Sequence, residues 1–207
     1  MTGQCAIARL TLAWLLLPAA GRAQSGAIYG TVTMPTTGIR DVVVYLVPTE
    51  APGAPTVTPL AAEMDQRDLH FVPSVVVITP GSPIVFLNSD RVMHNVFHPA
   101  RGRGGFDLGL WAPGQSRGFT LREEGAYLIL CEVHPEMAAY IVVVASPYRT
   151  VTDAGGRFRF VSVAPGTYRL RTWHHWLETH EEGVAVPQGG SVQVHLRLKL
   201  GKPAPIP

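Results

Sequence analysis

Turn-forming residues recur so often in this chain that no regular element can run far. Twenty-one glycines and eighteen prolines are spread over 207 residues, and no long helical period survives between them. Pairs such as Pro80-Gly81, Pro113-Gly114, Gly155-Gly156, Pro165-Gly166 and Gly189-Gly190 punctuate the chain. Between them lie short apolar and β-branched runs at 42–47, 75–78, 84–87, 127–130, 140–144, 157–163, 167–171 and 191–200. Runs of this length, bounded by turn pairs, predict strands packed into sandwiches, so the expected class is all-β. The last run alternates cleanly and sets Val192, Val194, Leu196, Leu198 and Leu200 on one expected face.

The first residues read differently. Arg9 precedes an apolar run at 10–17, and small residues lead to Gly21-Arg22-Ala23. That order predicts a secretory signal peptide over 1–23, cleaved before Gln24; a retained anchor is the alternative. The run is shorter than the roughly 20 residues a membrane span needs, and no later stretch is apolar enough, so no membrane span is expected. Without Arg9 and Arg22, the seventeen basic residues fall to fifteen, matching fifteen acidic ones. A neutral chain without a basic patch argues against nucleic acid as a partner. Cleavage also removes Cys5 and leaves Cys131 alone. A lone thiol in an oxidising compartment calls for burial, a metal or a reaction.

The surroundings of Cys131 favour the metal. Cys131-Glu132-Val133-His134-Pro135-Glu136-Met137 lies between apolar runs at 126–130 and 139–144. A loop between adjacent strands can aim all three side chains at one point. His94 lies 37 positions upstream, on or just after the strand expected at 84–87. A thiolate, two imidazoles and a weakly placed thioether suit one copper ion, the soft donors serving Cu(I) and the imidazoles Cu(II) as well. Zinc is the rival, but structural zinc prefers four Cys or His ligands. A bound metal also keeps the thiol deprotonated. Taken singly, Met137, His94 and Cys131 would read as a core side chain, a satisfied histidine and a small buried hydrophobe.

Other residues carry weaker signals. His98, beside Pro99, is a substitute ligand ranked below His94, and His70 is placed on the first strand of the middle block. Trp173-His174-His175-Trp176, with His180, suits a second metal or a sugar, or simply a strand end packed against a neighbouring domain, which is the favoured reading. Arg101-Gly102-Arg103-Gly104-Gly105 is a basic loop without a phosphate-binding context. There is no Ser-His-Asp set or carboxylate pair to suggest hydrolysis, so no enzyme activity is expected.

Two family resemblances follow from these residues. Phe71-Val72-Pro73, the stretch Pro80 to Asn88, His94-Asn95-Val96-Phe97 and the Cys131–Met137 loop resemble the plastocyanin/amicyanin branch of the cupredoxins, Greek-key β-sandwiches. The resemblance implies a type I copper held by His94, Cys131, His134 and Met137, and electron transfer with a transient redox partner. It also implies that Asn95, with Asn88 the lesser candidate, ties the two ligand loops together. Thr152-Asp153-Ala154-Gly155-Gly156-Arg157-Phe158 and Pro165-Gly166-Thr167-Tyr168-Arg169-Leu170 resemble the carboxypeptidase regulatory-like family, as do Gly30-Thr31-Val32 and 41–46. Neither half alone has enough strands to bury a core, so the expectation is one small prealbumin-like sandwich split by an insertion. The expected order is signal peptide 1–23, first half and linker 24–62, cupredoxin 63–147, second half 148–200 and tail 201–207. The whole chain is similar to exported proteins labelled methylamine utilization protein, which implies a periplasmic location. The alternatives are an envelope module binding carbohydrate or protein with an auxiliary copper site, and a copper carrier.

Overall fold

A computed structural model describes residues 24–34, 39–100 and 105–206. The signal peptide expected at 1–23 and most of the basic loop, residues 101–104, lie outside them. Every regular element among the described residues is a strand. The first block gives β1 (Gly26–Thr33) and β2 (Val43–Glu50). The middle block gives β3 (Ala62–Arg67), β4 (His70–Val72), β5 (Val75–Ile78), β6 (Pro83–Asn88), β7 (His94–His98), β8 (Phe106–Trp111), β9 (Ser116–Thr120), β10 (Gly125–Leu130) and β11 (Ala138–Val143). The last block gives β12 (Tyr148–Val151), β13 (Arg157–Val163), β14 (Gly166–Trp173), β15 (Glu181–Val186) and β16 (Ser191–Arg197).

These strands make two sandwiches. In the middle block, the sheet β5-β11-β10-β7-β8 faces the sheet β4-β3-β6-β9. Between them lies a core containing Met64, Phe86, Trp111, Ile129 and Ile141. The other two sheets, β13-β1-β16 and β12-β2-β14-β15, draw strands from both the first and last blocks. β1 runs parallel to β16 and antiparallel to β13, while β2 lies between β12 and β14. Ile28, Val44, Leu46, Tyr168, Leu170 and Leu196 fill that second core. In this structure the chain thus leaves one sandwich after β2 and returns to it at β12.

Local chemistry explains the turn that carries the chain from β12 in one sheet to β13 in the other. Asp153 Oδ1 accepts hydrogen bonds from the N–H groups of Gly155 and Arg157, both at 2.8 Å, the self-bonding turn that aspartate favours. Gly156 sits at φ 72°, and a side chain there would come within 2.3 Å of the Val32 carbonyl, so only glycine fits. The alternation expected for the last run holds through Leu198, which is buried. It fails at Leu200, which is 62% exposed. The strand ends at Arg197, and Leu200 instead bridges Leu177.

A third cluster forms the seam between the sandwiches. Val43, Tyr45 and Trp173 from one side meet Val75, Val142 and Val144 from the other. Alternate residues of β2 and β11 point opposite ways, so Val44 and Leu46 enter one core while Ile141 and Val143 enter the other. Both faces of each strand are therefore buried, which is why 42–47 and 140–144 are continuously apolar instead of alternating. Ser74 Oγ also donates to Asp41 Oδ2 across the seam at 2.8 Å.

The Trp173–Trp176 cluster belongs to this seam. Trp173 meets Tyr140 edge-on at 5.2 Å, and His175 stacks on Tyr140 at 4.8 Å. His174 is buried, and its Nδ1 has no hydrogen-bond partner among the described residues. Burial, helped by the neighbouring His175, lowers its pKa from 6.5 to about 4. The folded value lies below the unfolded one, so the unfolded chain binds the extra proton between those pH values. Stability is then full above pH 6.5 and declines as pH falls towards about 4. At 1.36 kcal/mol per pKa unit, discounted for partial solvent access, the loss is roughly 2 kcal/mol. Denaturant midpoints at neutral and acid pH should show this decline in the wild type and a flatter profile in His174→Gln. An equally steep profile in the variant would assign it to other groups.

Candidate metal centre

Three strand ends bring the site together. His94 opens β7, Cys131 follows β10, and Met137 precedes β11. β10 and β11 form a hairpin with Leu130 opposite Ala138, so residues 131–137 are its loop. β7 runs antiparallel to β10 with Phe97 opposite Leu130. His94, three residues before Phe97, therefore lies level with the start of that loop. The placement corrects one expectation: His94 belongs to β7, a strand separate from β6, because residues 89–93 carry the chain from the sheet of β6 to the facing sheet of β7. His70 likewise falls on β4, the second strand of its block, behind β3.

The donor atoms converge. Cys131 Sγ lies 3.7 Å from His94 Nδ1 and 3.9 Å from His134 Nδ1, and the two Nδ1 atoms are 3.0 Å apart. Bonds of about 2.0–2.3 Å around one first-row ion require ligand separations of this size. Among the described residues, His94, Cys131 and His134 form the converging group of metal-binding side chains. Met137 is buried in the same core cluster as Cys131, and its N–H donates to the His134 carbonyl at 2.9 Å, closing the loop. The donor chemistry fits copper: one thiolate, two imidazoles and a thioether from the same loop.

Hydrogen bonds outside the donor set hold it in place. Asn95 Oδ1 accepts from the Glu132 N–H at 2.7 Å and so joins β7 to the Cys131 loop. Asn88 acts on the preceding turn, where its Nδ2 donates to the carbonyls of Val92 and Trp111 at 3.0 and 3.3 Å. A further residue, not singled out from the sequence, completes the set. His94 Nε2 lies 3.1 Å from Asp90 Oδ2. The N–H groups of Leu69 and Arg91 donate to the same carboxylate at 2.9 and 2.8 Å, and these bonds hold its pKa below the usual carboxylate value. The available signal was the turn Asn88-Ser89-Asp90, whose residue types favour side-chain-to-backbone bonding. His98 is turned away: its Nδ1 is 2.8 Å from the Leu128 carbonyl and its ring packs on Tyr127.

Residues 59–144 match the family model of copper binding proteins, plastocyanin/azurin family. Residues 135–199 match that of the carboxypeptidase regulatory-like domain. A chloroplastic plastocyanin from Fritillaria agrestis is 37% identical over 76 residues, covering 32% of this chain and 46% of that protein. The chain thus spans under half the length of that curated relative. Among solved structures, amicyanin from Paracoccus versutus aligns with TM-score 0.38 and 19% identity, over 49% of this chain and 97% of that one. A copper-containing nitrite reductase from Thermus scotoductus aligns with TM-score 0.39 and 22% identity, over 55% of this chain and 28% of that one. The middle sandwich is a cupredoxin. The stretch matching the plastocyanin/azurin model of copper binding proteins and the stretch matching the carboxypeptidase regulatory-like model lie on the same chain.

Proposed function

We propose that residues 63–147 are a type I copper electron carrier inserted into a regulatory-like sandwich made by 24–62 and 148–200, and that the protein works in the periplasm. The observation that carries this reading is the convergence of one thiol and two imidazoles within 3.9 Å on strand ends, with Met137 buried on the same loop. Copper held there supplies a one-electron Cu(II)/Cu(I) couple that this mixed donor set accommodates in both states. His94, Cys131, His134 and Met137 fill the coordination positions and leave none for a substrate, which favours carrying electrons over catalysis.

The frame serves the same end. Asn95 fixes the loop to β7, and the hairpin fixes Cys131 relative to Met137, so little rearrangement accompanies a change of charge. His94 is fully buried, whereas His134 is partly exposed, with Val133 and Met93 each 49% exposed beside the two histidines. That apolar rim suits brief docking of a redox protein at the His134 edge, since such encounters use small interfaces. Export rests on the composition of residues 1–23.

Redox titration of the copper-loaded protein, followed by its thiolate-to-copper absorption band, tests the reading. A band that bleaches and returns reversibly is expected. No band, or no cycling, would refute it. Rapid, complete loss of copper to a Cu(I) chelator would identify a carrier of the metal instead.

A further inference from the structure

Asp90 lies outside the donor set, yet it is the group in contact with the far side of the buried ligand. His94 directs Nδ1 at Cys131 and His134 and has its other nitrogen, Nε2, 3.1 Å from Asp90 Oδ2. A carboxylate only accepts, so the proton of this imidazole sits on Nε2 and leaves the Nδ1 lone pair free. The carboxylate is itself held in place. It accepts from the Leu69 and Arg91 N–H groups, and the Asp90 backbone N–H donates to Asn88 Oδ1 at 3.1 Å. Asn88 in turn binds the carbonyls of Val92 and Trp111. The His94 side chain is fully buried and that of Asp90 is 13% exposed, so water screens the pair little.

We propose that Asp90 is a positioning residue that fixes the Nδ1-ligating tautomer of His94 and biases the site towards Cu(II). This rests on the copper reading above. A carboxylate accepting from Nε2–H makes the imidazole more electron-rich and a stronger donor to the more highly charged ion. Partners of this kind are worth about 10–100-fold in metal affinity, and the gain for Cu(II) exceeds that for Cu(I). The reduction potential is therefore lower than the four donors alone would set.

Two measurements test this. The first needs neither copper nor a variant: 15N NMR of the histidine rings in the copper-free protein should find His94 protonated at Nε2. Protonation at Nδ1 would overturn the proposal. The second compares reduction potentials of copper-loaded wild type and Asp90→Asn, a variant that keeps the shape and removes the charge. The ratio of Cu(II) to Cu(I) affinity should fall about tenfold in the variant, a rise in potential of ~59 mV for a one-electron couple. An intact absorption band with an unchanged ratio overturns the role of Asp90 alone. Absence of the band in the wild type overturns the copper reading, and this proposal with it.

Discussion

Cys131→Ser should leave a folded, colourless protein. The thiol is buried and is the one free cysteine among the described residues, so no other described sulfur can take over as thiolate donor. A serine hydroxyl stays protonated where the thiol ionises on a metal. It is also a hard donor, poorly matched to Cu(I). Loss of a direct ligand should exceed the roughly 10–100-fold affinity loss that follows removal of an outer partner. The intense visible band should vanish entirely, and the copper EPR signal should lose the character given by a thiolate. Oxygen replaces sulfur without adding volume, so the cost to stability should be about 1 kcal/mol, near the centre of the range for point variants. Far-UV circular dichroism should therefore match the wild type. Visible and EPR spectra of the two copper-loaded proteins, recorded side by side, decide the matter. An unchanged band in the variant would remove Cys131 from the site.

That variant attacks the part of the site most legible in the sequence. Cys131, His134 and Met137 fall within seven consecutive residues, so one loop between two strands suffices to gather them. His94 is harder to assign, because its position depends on the pairing of Phe97 with Leu130, and sequence spacing does not specify pairing. Asp90 is harder still. Its role depends on a turn that sets its carboxylate against a ring four residues on, a contact no periodicity reports. The all-β class followed from the density of turn pairs and the shortness of the runs between them. The seam is written in the sequence as the continuous apolarity of 42–47 and 140–144. A strand with one solvated face alternates, whereas a strand buried on both faces does not. Leu200 shows the converse. Its alternation with Leu198 continues past the strand end at Arg197, and pattern alone gives no sign that the ladder stops there.

The seam carries the second large effect, expected in Trp173→Ala. Trp173 closes β14 and lies buried among Val43, Tyr45, Val75, Val142 and Val144, with its ring edge-on to Tyr140. Truncating a buried tryptophan to alanine costs about 3–5 kcal/mol, because the lost burial is compounded by the cavity left behind. Here the cavity opens between two sandwiches that each keep a core of their own. The variant should therefore uncouple them as well as weaken the protein. Calorimetry should show one dominant transition in the wild type and two separated transitions in the variant. A site assembled from β7 and the Cys131 loop exists only in the folded cupredoxin, so copper should bind that state more tightly than the unfolded chain, raise one of the two transitions and leave the other in place. Trp176→Ala is the control. That side chain is 59% exposed, and its removal should shift stability by no more than about 0.5 kcal/mol. A single transition in Trp173→Ala that moves as a whole with copper would mean that the seam adds stability without being what joins the two sandwiches into one unfolding unit.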